Sequence, residues 1–156
     1  MYLIECANQN KVFVSIRKVQ TEDFKTITIK RYFFKWKAYH NTCEIFKLTL
    51  LGKEDILGLI AIIDHPSEER LEIKLLAVSH ENVGQKKRYD RIAGCLIAFA
   101  CRNAIKRYNN FPCVSLTPKT ELKKHYIHKY GMFDAGRQIY LEEEALINII
   151  NFYYND

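Results

Sequence analysis

Hydrophobic positions along the chain change period several times, and each change marks an element. Residues 11–20 alternate, with Val12, Val14 and Ile16 on one face and Phe13 on the other, before turning to charge at Arg17 and Lys18. This predicts a strand. Residues 44–51 predict a second strand, Gly52, Lys53, Glu54 and Asp55 a turn, and the very apolar 56–64 a third strand, so that the two pair as a hairpin. After a turn over 65–69, residues 71–78 alternate again. Leu71, Ile73, Leu75 and Ala77 share one face, and Glu72, Lys74, Leu76 and Val78 the other. From Ile92 the period lengthens, and Ala93, Leu96, Ile97, Ala100, Cys101, Ala104, Ile105 and Tyr108 recur at helical spacing.

The remainder of the chain reads similarly. Residues 113–116 predict a short strand buried on both sides. Thr120 caps a helix with Glu121 in its first turn; it carries Leu122, His125, Tyr126 and Lys129 and stops at Gly131. Residues 133–141 predict one last strand, and 142–153 an amphipathic helix with Leu146, Ile147, Ile149, Ile150, Phe152 and Tyr153 facing inward. Two regions are less regular. Residues 1–10 are a short lead in which Tyr2, Leu3 and Ile4 pack. Thr21, Glu22 and Asp23 open a helix, but residues 24–40 then mix strand-favouring Thr26, Ile27, Thr28 and Ile29 with Phe33, Phe34 and Trp36, which suit a helix or an aromatic hinge. Antiparallel strands followed by strand, loop and helix predict an α+β fold, a mixed, mostly antiparallel sheet flanked by helices in three layers.

Composition narrows this to one domain: 156 residues, 48% hydrophobic and 27% charged, are enough for a real core. A net charge of +6 suits an anionic ligand or partner, whether a nucleotide cofactor or a nucleic acid. The five cysteines are odd in number and lack paired metal-site spacing, so they read as reduced thiols. With no apolar run near the roughly twenty residues of a membrane span and no basic leader segment, a cytoplasmic protein is expected. His125 and His128 lie one turn apart without a third ligand, so no metal is expected. Neither a phosphate-binding Walker loop nor a nucleophile elbow occurs, which argues against covalent catalysis.

The chemistry concentrates ahead of the long helix. Lys86, Lys87, Arg88 and Arg91 lie in a loop bent at Gly84 that feeds a helix N-terminus, where free N–H groups and the helix dipole favour an anion, and where Ala93 and Gly94 let a ligand approach. The same residues also fit a solvated loop and a glycine used only for helix packing.

The run Arg88, Tyr89, Asp90, Arg91, Ile92, Ala93, Gly94 resembles the acyl-CoA loop of the GCN5-related N-acetyltransferases (GNATs), in which Gln or Arg, two residues, Gly, one residue, and Gly or Ala enter a long helix. Arg88 and Ala93 match the outer positions, and Arg91 stands where the pattern has its first glycine. A side chain there either crowds the pyrophosphate or folds outward and pairs with it. Tyr126, five residues before Gly131, resembles the family's tyrosine ahead of a Gly-Phe-like helix end.

The resemblance implies one GNAT domain that takes acetyl-CoA, with the pyrophosphate on residues 88–94 and backbone N–H groups of Ala77, Val78 and Ser79 at the thioester. It implies Tyr126 as the acid that protonates the departing thiolate, with Tyr130 as the alternative. The base would be Glu81, ahead of His80 and Glu72. The acceptor would be a primary amine of a small molecule or protein, met by the aromatic residues of 24–40. A second reading is a catalytically silent protein of the same fold that binds a nucleotide, RNA or a protein partner through its basic surface, and Arg91 favours it. RNA also enters through a variant of the enzyme reading, the acylation of an aminoacyl-tRNA.

Overall fold

The computed structural model describes residues 1–155. In it the strands are β1 (Tyr2–Glu5), β2 (Lys11–Lys18), β3 (Glu44–Leu50), β4 (Ile56–His65), β5 (Arg70–Val78), β6 (Tyr89–Asp90), β7 (Cys113–Leu116), β8 (Phe133–Ala135) and β9 (Gln138–Glu142). The helices are α1 (Ile29–Tyr32), α2 (Ile92–Arg107), α3 (Lys123–Tyr130) and α4 (Glu143–Tyr154). The strands form one sheet in the order β6-β1-β2-β3-β4-β5-β7-β9-β8. Every neighbouring pair is antiparallel except β5 and β7, which run parallel because α2 carries the chain across between them. The mixed, mostly antiparallel sheet expected from the sequence is therefore the one observed.

Apolar residues are buried on both faces of the sheet, which gives three layers. On one face the α2 residues Leu96, Ile97, Ala100 and Ala104 pack with Leu71 and Ile73 of β5 and Leu146 and Tyr153 of α4. Gly58 of β4 brings α2 close, since a Cβ there would stand 2.7 Å from Ile92 and 2.9 Å from Leu96. On the other face Tyr32 and Trp36 cover Leu59, Ala61 and Ala77.

Four expectations change. The N-terminal lead forms β1, which pairs on both sides, with β2 and with β6. Residues 133–141 are a hairpin and not one strand: Gly136 adopts φ +88 and its N–H donates to Asp134 Oδ1 at 2.9 Å, which closes a tight turn between β8 and β9. In residues 24–40 the threonines act as caps. Thr28 Oγ1 accepts the Arg31 N–H at 3.3 Å and starts α1, while the Thr26 hydroxyl donates to the Asp23 carbonyl. In α4, Leu146, Ile149 and Tyr153 are buried as expected, but Ile147 and Phe152 face outward, Phe152 with 63% of its surface exposed.

A further difference concerns β5. Ile62 pairs with Ile73 and Ala61 with Leu75, so Lys74 is an extra residue without an opposite partner. A one-residue insertion exchanges the faces of everything after it. Leu71 and Ile73 face α2, but beyond the bulge Leu76 and Val78 take that side, and Leu75 and Ala77 join the opposite layer. The single alternating face read from the sequence is broken at Lys74.

Candidate active site

The site begins where two parallel strands part. β7 pairs with β5 only from Arg70 to Ile73, ending at Leu116, while β5 stays paired to β4 as far as Val78. Between the diverging segments lies a cleft of about 480 Å³ walled by Leu76, Val78, Ala93, Leu116, Thr117 and Tyr126. The Ser79 N–H donates to Leu57 O at 2.9 Å. Because strand amides alternate in direction, those of Ala77 and Leu75 also face β4, and those of Leu76 and Val78 face the open side. Of the three amides expected at a thioester, only that of Val78 points into the cleft. The Leu76 amide was missed because its direction is set by the bulge.

At the other end of the cleft α2 presents its N-terminus. The first intrahelical bond runs from Cys95 N–H to Arg91 O at 2.9 Å, and no side chain among the described residues caps the helix, so the Ile92, Ala93 and Gly94 amides stand ahead of the ladder. Ala93 borders the cleft. Arg91 has φ 84 and ψ 5, the left-handed conformation that glycine adopts freely. Its side chain neither crowds the helix mouth nor pairs into it. Nε donates to Tyr2 O at 3.1 Å and Nη2 to Phe152 O at 3.3 Å. The guanidinium lies 4.2 Å from the Tyr2 ring, 4.8 Å from that of Tyr153 and 5.1 Å from that of Phe152. Arg91 thus clasps β1 to the last turn of α4, where a cation is also favoured by the helix dipole.

The balance of these terms is testable. Arg91→Gly removes backbone strain of about 1 kcal/mol but also two charge-assisted hydrogen bonds and three ring contacts. A net loss of about 1 kcal/mol in thermal or urea unfolding is expected. A more stable variant would show that the clasp contributes less than the strain.

The other loop residues divide by role. Tyr89 is buried and pairs in β6, and Ile92 is buried against Gly58. The Asp90 carboxylate accepts Lys87 Nζ and the Arg91 N–H, both at 2.9 Å; desolvation opposes its ionisation, but these two bonds hold it below the ordinary carboxylate range. It therefore bonds the amide just before the helix and does not cap the first turn. Arg88 extends into solvent, 3.7 Å from Glu5. Gly94 is closed over, since a Cβ there would lie 2.0 Å from the Tyr153 ring. Asn82, which the sequence reading passed over, organises the loop: its Oδ1 accepts the Arg88 and Tyr89 N–H groups at 3.0 Å and its Nδ2 donates to Ser79 Oγ at 2.9 Å. An Asn inside a turn-rich segment was the available signal.

Tyr126 lines the cleft, and burial raises its pKa, so its phenol remains protonated at neutral pH. Tyr130 is almost fully buried in the core, its ring 5.9 Å from that of Tyr126. Only the first of the two tyrosines meets the cavity. The bases fare differently. Glu81 accepts Arg31 Nε at 3.1 Å, and this hydrogen bond lowers its pKa. Arg31 also binds Asp55 through two bonds of 2.8 and 3.1 Å. Glu72 is bonded to His65 at 2.9 Å, and His80 packs beside Phe33 with ring centroids 6.0 Å apart. None of these three borders the cleft, whereas His125, weighed from the sequence only as half of a metal pair, does.

The splayed parallel strands, the bulge and the uncapped helix define the class: the chain has the GNAT fold. No protein-family model matches the chain, and no curated protein matches its sequence. Solved structures do match. The chain is similar to mutant forms of the spermidine/spermine N-acetyltransferase SpeG from Vibrio cholerae, with a TM-score of 0.65 and 15% identity over 86% of this chain and 96% of that one. It is similar to Ard1 from Thermoplasma volcanium at a TM-score of 0.62 and 15% identity, covering 84% and 98% of the two chains. A GNAT family acetyltransferase from Elizabethkingia anophelis with acetyl-CoA bound superposes at 0.56 and 15% identity, covering 84% and 97%. At these identities the likeness is one of fold.

Proposed function

We propose that the protein is an acetyl-CoA-dependent N-acetyltransferase acting on a primary amine of a small molecule or protein. The observation that carries this is the meeting, in one cleft, of an uncapped helix N-terminus, unpaired strand amides and the Tyr126 phenol. The acetyl-CoA seen in the Elizabethkingia anophelis structure supports the same cosubstrate here. The Ile92, Ala93 and Gly94 amides hold the pyrophosphate, with Arg88 as counter-charge from solvent. The Leu76 and Val78 amides receive the pantetheine and the thioester oxygen, where fixed donors stabilise the oxyanion.

Transfer is direct: the amine lone pair forms the C–N bond at the thioester carbonyl, the C–S bond breaks, one amine proton leaves and the thiolate gains one. Tyr126 supplies the thiolate's proton and is reprotonated from solvent. His125 takes the amine's proton, directly or through water, because the carboxylates expected for that task are bound elsewhere. Arg91, the feature that favoured a silent binding protein, keeps the backbone conformation of a glycine and folds away from the helix mouth. The RNA reading, including transfer to an aminoacyl-tRNA, rests on net charge and on the mixture of basic and aromatic residues over 24–40, of which Tyr32 and Trp36 are buried in the core and cannot stack on bases.

Acetyl-CoA at about 100 times its Kd is expected to add about 2.7 kcal/mol, raising the melting temperature by several degrees, with CoA acting similarly and ATP little. Ala93→Asp favours the helix end but sets a carboxylate in the cradle, so the variant should fold and lose the shift. A wild-type protein that acetyl-CoA leaves unchanged would refute the proposal.

A further inference from the structure

The acceptor wall of the same cleft carries a feature that acetyl transfer as such does not require. Phe33 has φ 73 and ψ −29, a left-handed backbone that a bulky residue adopts only where its surroundings impose it. The surroundings are elaborate. Arg31 ties α1 to Asp55 ahead of β4 and to Glu81 after β5, the Tyr32 hydroxyl donates to Ile56 O at 2.7 Å, and Trp36 Nε1 donates to Tyr32 O at 2.9 Å. Tyr32 and Trp36 are buried as anchors, yet Phe33 between them is turned out onto the cleft with 42% of its surface exposed. Val83 and Leu122, also exposed, border the same opening. Strain that holds an aromatic ring in water beside a cleft points to a ligand that covers it.

Charge limits what that ligand is. No carboxylate lines the cleft among the described residues, and the two carboxylates beside α1, Asp55 and Glu81, are both bound to Arg31. Lys74 and Lys119 are part of the lining. A polyamine would find no partner for its second ammonium, whereas nearby lysines favour the neutral, nucleophilic form of a lone amine.

We infer that the acceptor is a primary amine on an apolar, ring-sized body, without a second cationic group, and that Phe33 is the surface it lies against. This inference rests on the acetyl-transfer reading above.

The test follows thiol release from acetyl-CoA with 2-phenylethylamine or spermidine as acceptor, in the wild type and in Phe33→Ala and Phe33→Gly. The expected result is a kcat/KM for 2-phenylethylamine at least about tenfold above that for spermidine. Phe33→Ala raises the amine KM about tenfold and leaves the acetyl-CoA KM unchanged. Phe33→Gly does the same with a melting temperature no lower than wild type, because glycine accepts the backbone angle. Spermidine used equally well, neither amine acetylated by a protein that acetyl-CoA stabilises, or a change in the acetyl-CoA KM in place of the amine KM would overturn the inference while leaving the cofactor reading standing. A wild type that acetyl-CoA does not stabilise overturns both.

Discussion

Tyr126→Phe is expected to lower kcat for acetyl transfer about a hundredfold while leaving the thermal shift with acetyl-CoA intact. The substitution removes one hydroxyl and keeps the ring, so the wall of the cleft is preserved and only proton donation is lost. Desolvation raises the Tyr126 pKa above its ordinary value of 10.0, which extends the protonated range upward and keeps the acid present through neutral and mildly alkaline pH. The pH profile of kcat in the wild type should therefore fall on its alkaline side only above pH 10, and the variant should lack that fall. Tyr130→Phe is the control. Its ring lies in the core and outside the cleft, so the rate should stay within a factor of about three of wild type. A Tyr126→Phe enzyme of undiminished kcat would show that another group or water protonates the thiolate; an equal loss in Tyr130→Phe would show that the two rings act as one unit.

What sequence patterning revealed, and what it hid, follows from how each element is specified. β2 and α2 announce themselves because one period persists over many residues, and β3 and β4 because apolar runs flank a turn; the expected spans agree with the observed ones to within two residues. β5 was legible as a strand but not as a bulged one. Lys74 looks like the polar member of an alternating pair, and only the register against β4 shows it to be supernumerary. Of the amides of Ala77, Val78 and Ser79 expected at a thioester, the register leaves Val78 on the open side and adds Leu76. Glu81 illustrates a different limit: its position just past a strand end was legible, but its ion pair with Arg31, 50 positions earlier, is a long-range contact that no local pattern encodes. The same holds for Arg91, whose partners Tyr2 and Phe152 lie at the two ends of the chain. Residues 24–40 were ambiguous because their aromatic residues serve two masters, Tyr32 and Trp36 the second core layer and Phe33 the cleft.

Gly94→Ala is expected to destabilise the protein by about 2–3 kcal/mol, a fall of several degrees in melting temperature. In an unhindered helix the change would be favourable by about 1 kcal/mol, so the sign is diagnostic. The new Cβ would stand 2.0 Å from the Tyr153 ring carbon and hydroxyl oxygen, and Tyr153 is buried, with the Phe152 ring edge-to-face 4.9 Å away and the Arg91 guanidinium 4.8 Å away. The ring has nowhere to slide, so α4 must withdraw from α2 and loosen the Arg91 clasp with it. Combining the change with Tyr153→Leu should cost less than the sum of the two single substitutions, because the leucine leaves room for the methyl group and the sites are in contact. The same variant separates the two roles open to this glycine. A glycine that serves helix packing predicts lost stability with acetyl-CoA still raising the melting temperature, since the Gly94 amide remains in the first turn. A glycine that serves ligand approach predicts wild-type stability and a lost shift. The Tyr153 ring already fills the space beside Cα, which favours the first outcome and makes α4 a structural support of the α2 N-terminus, the proposed cofactor cradle.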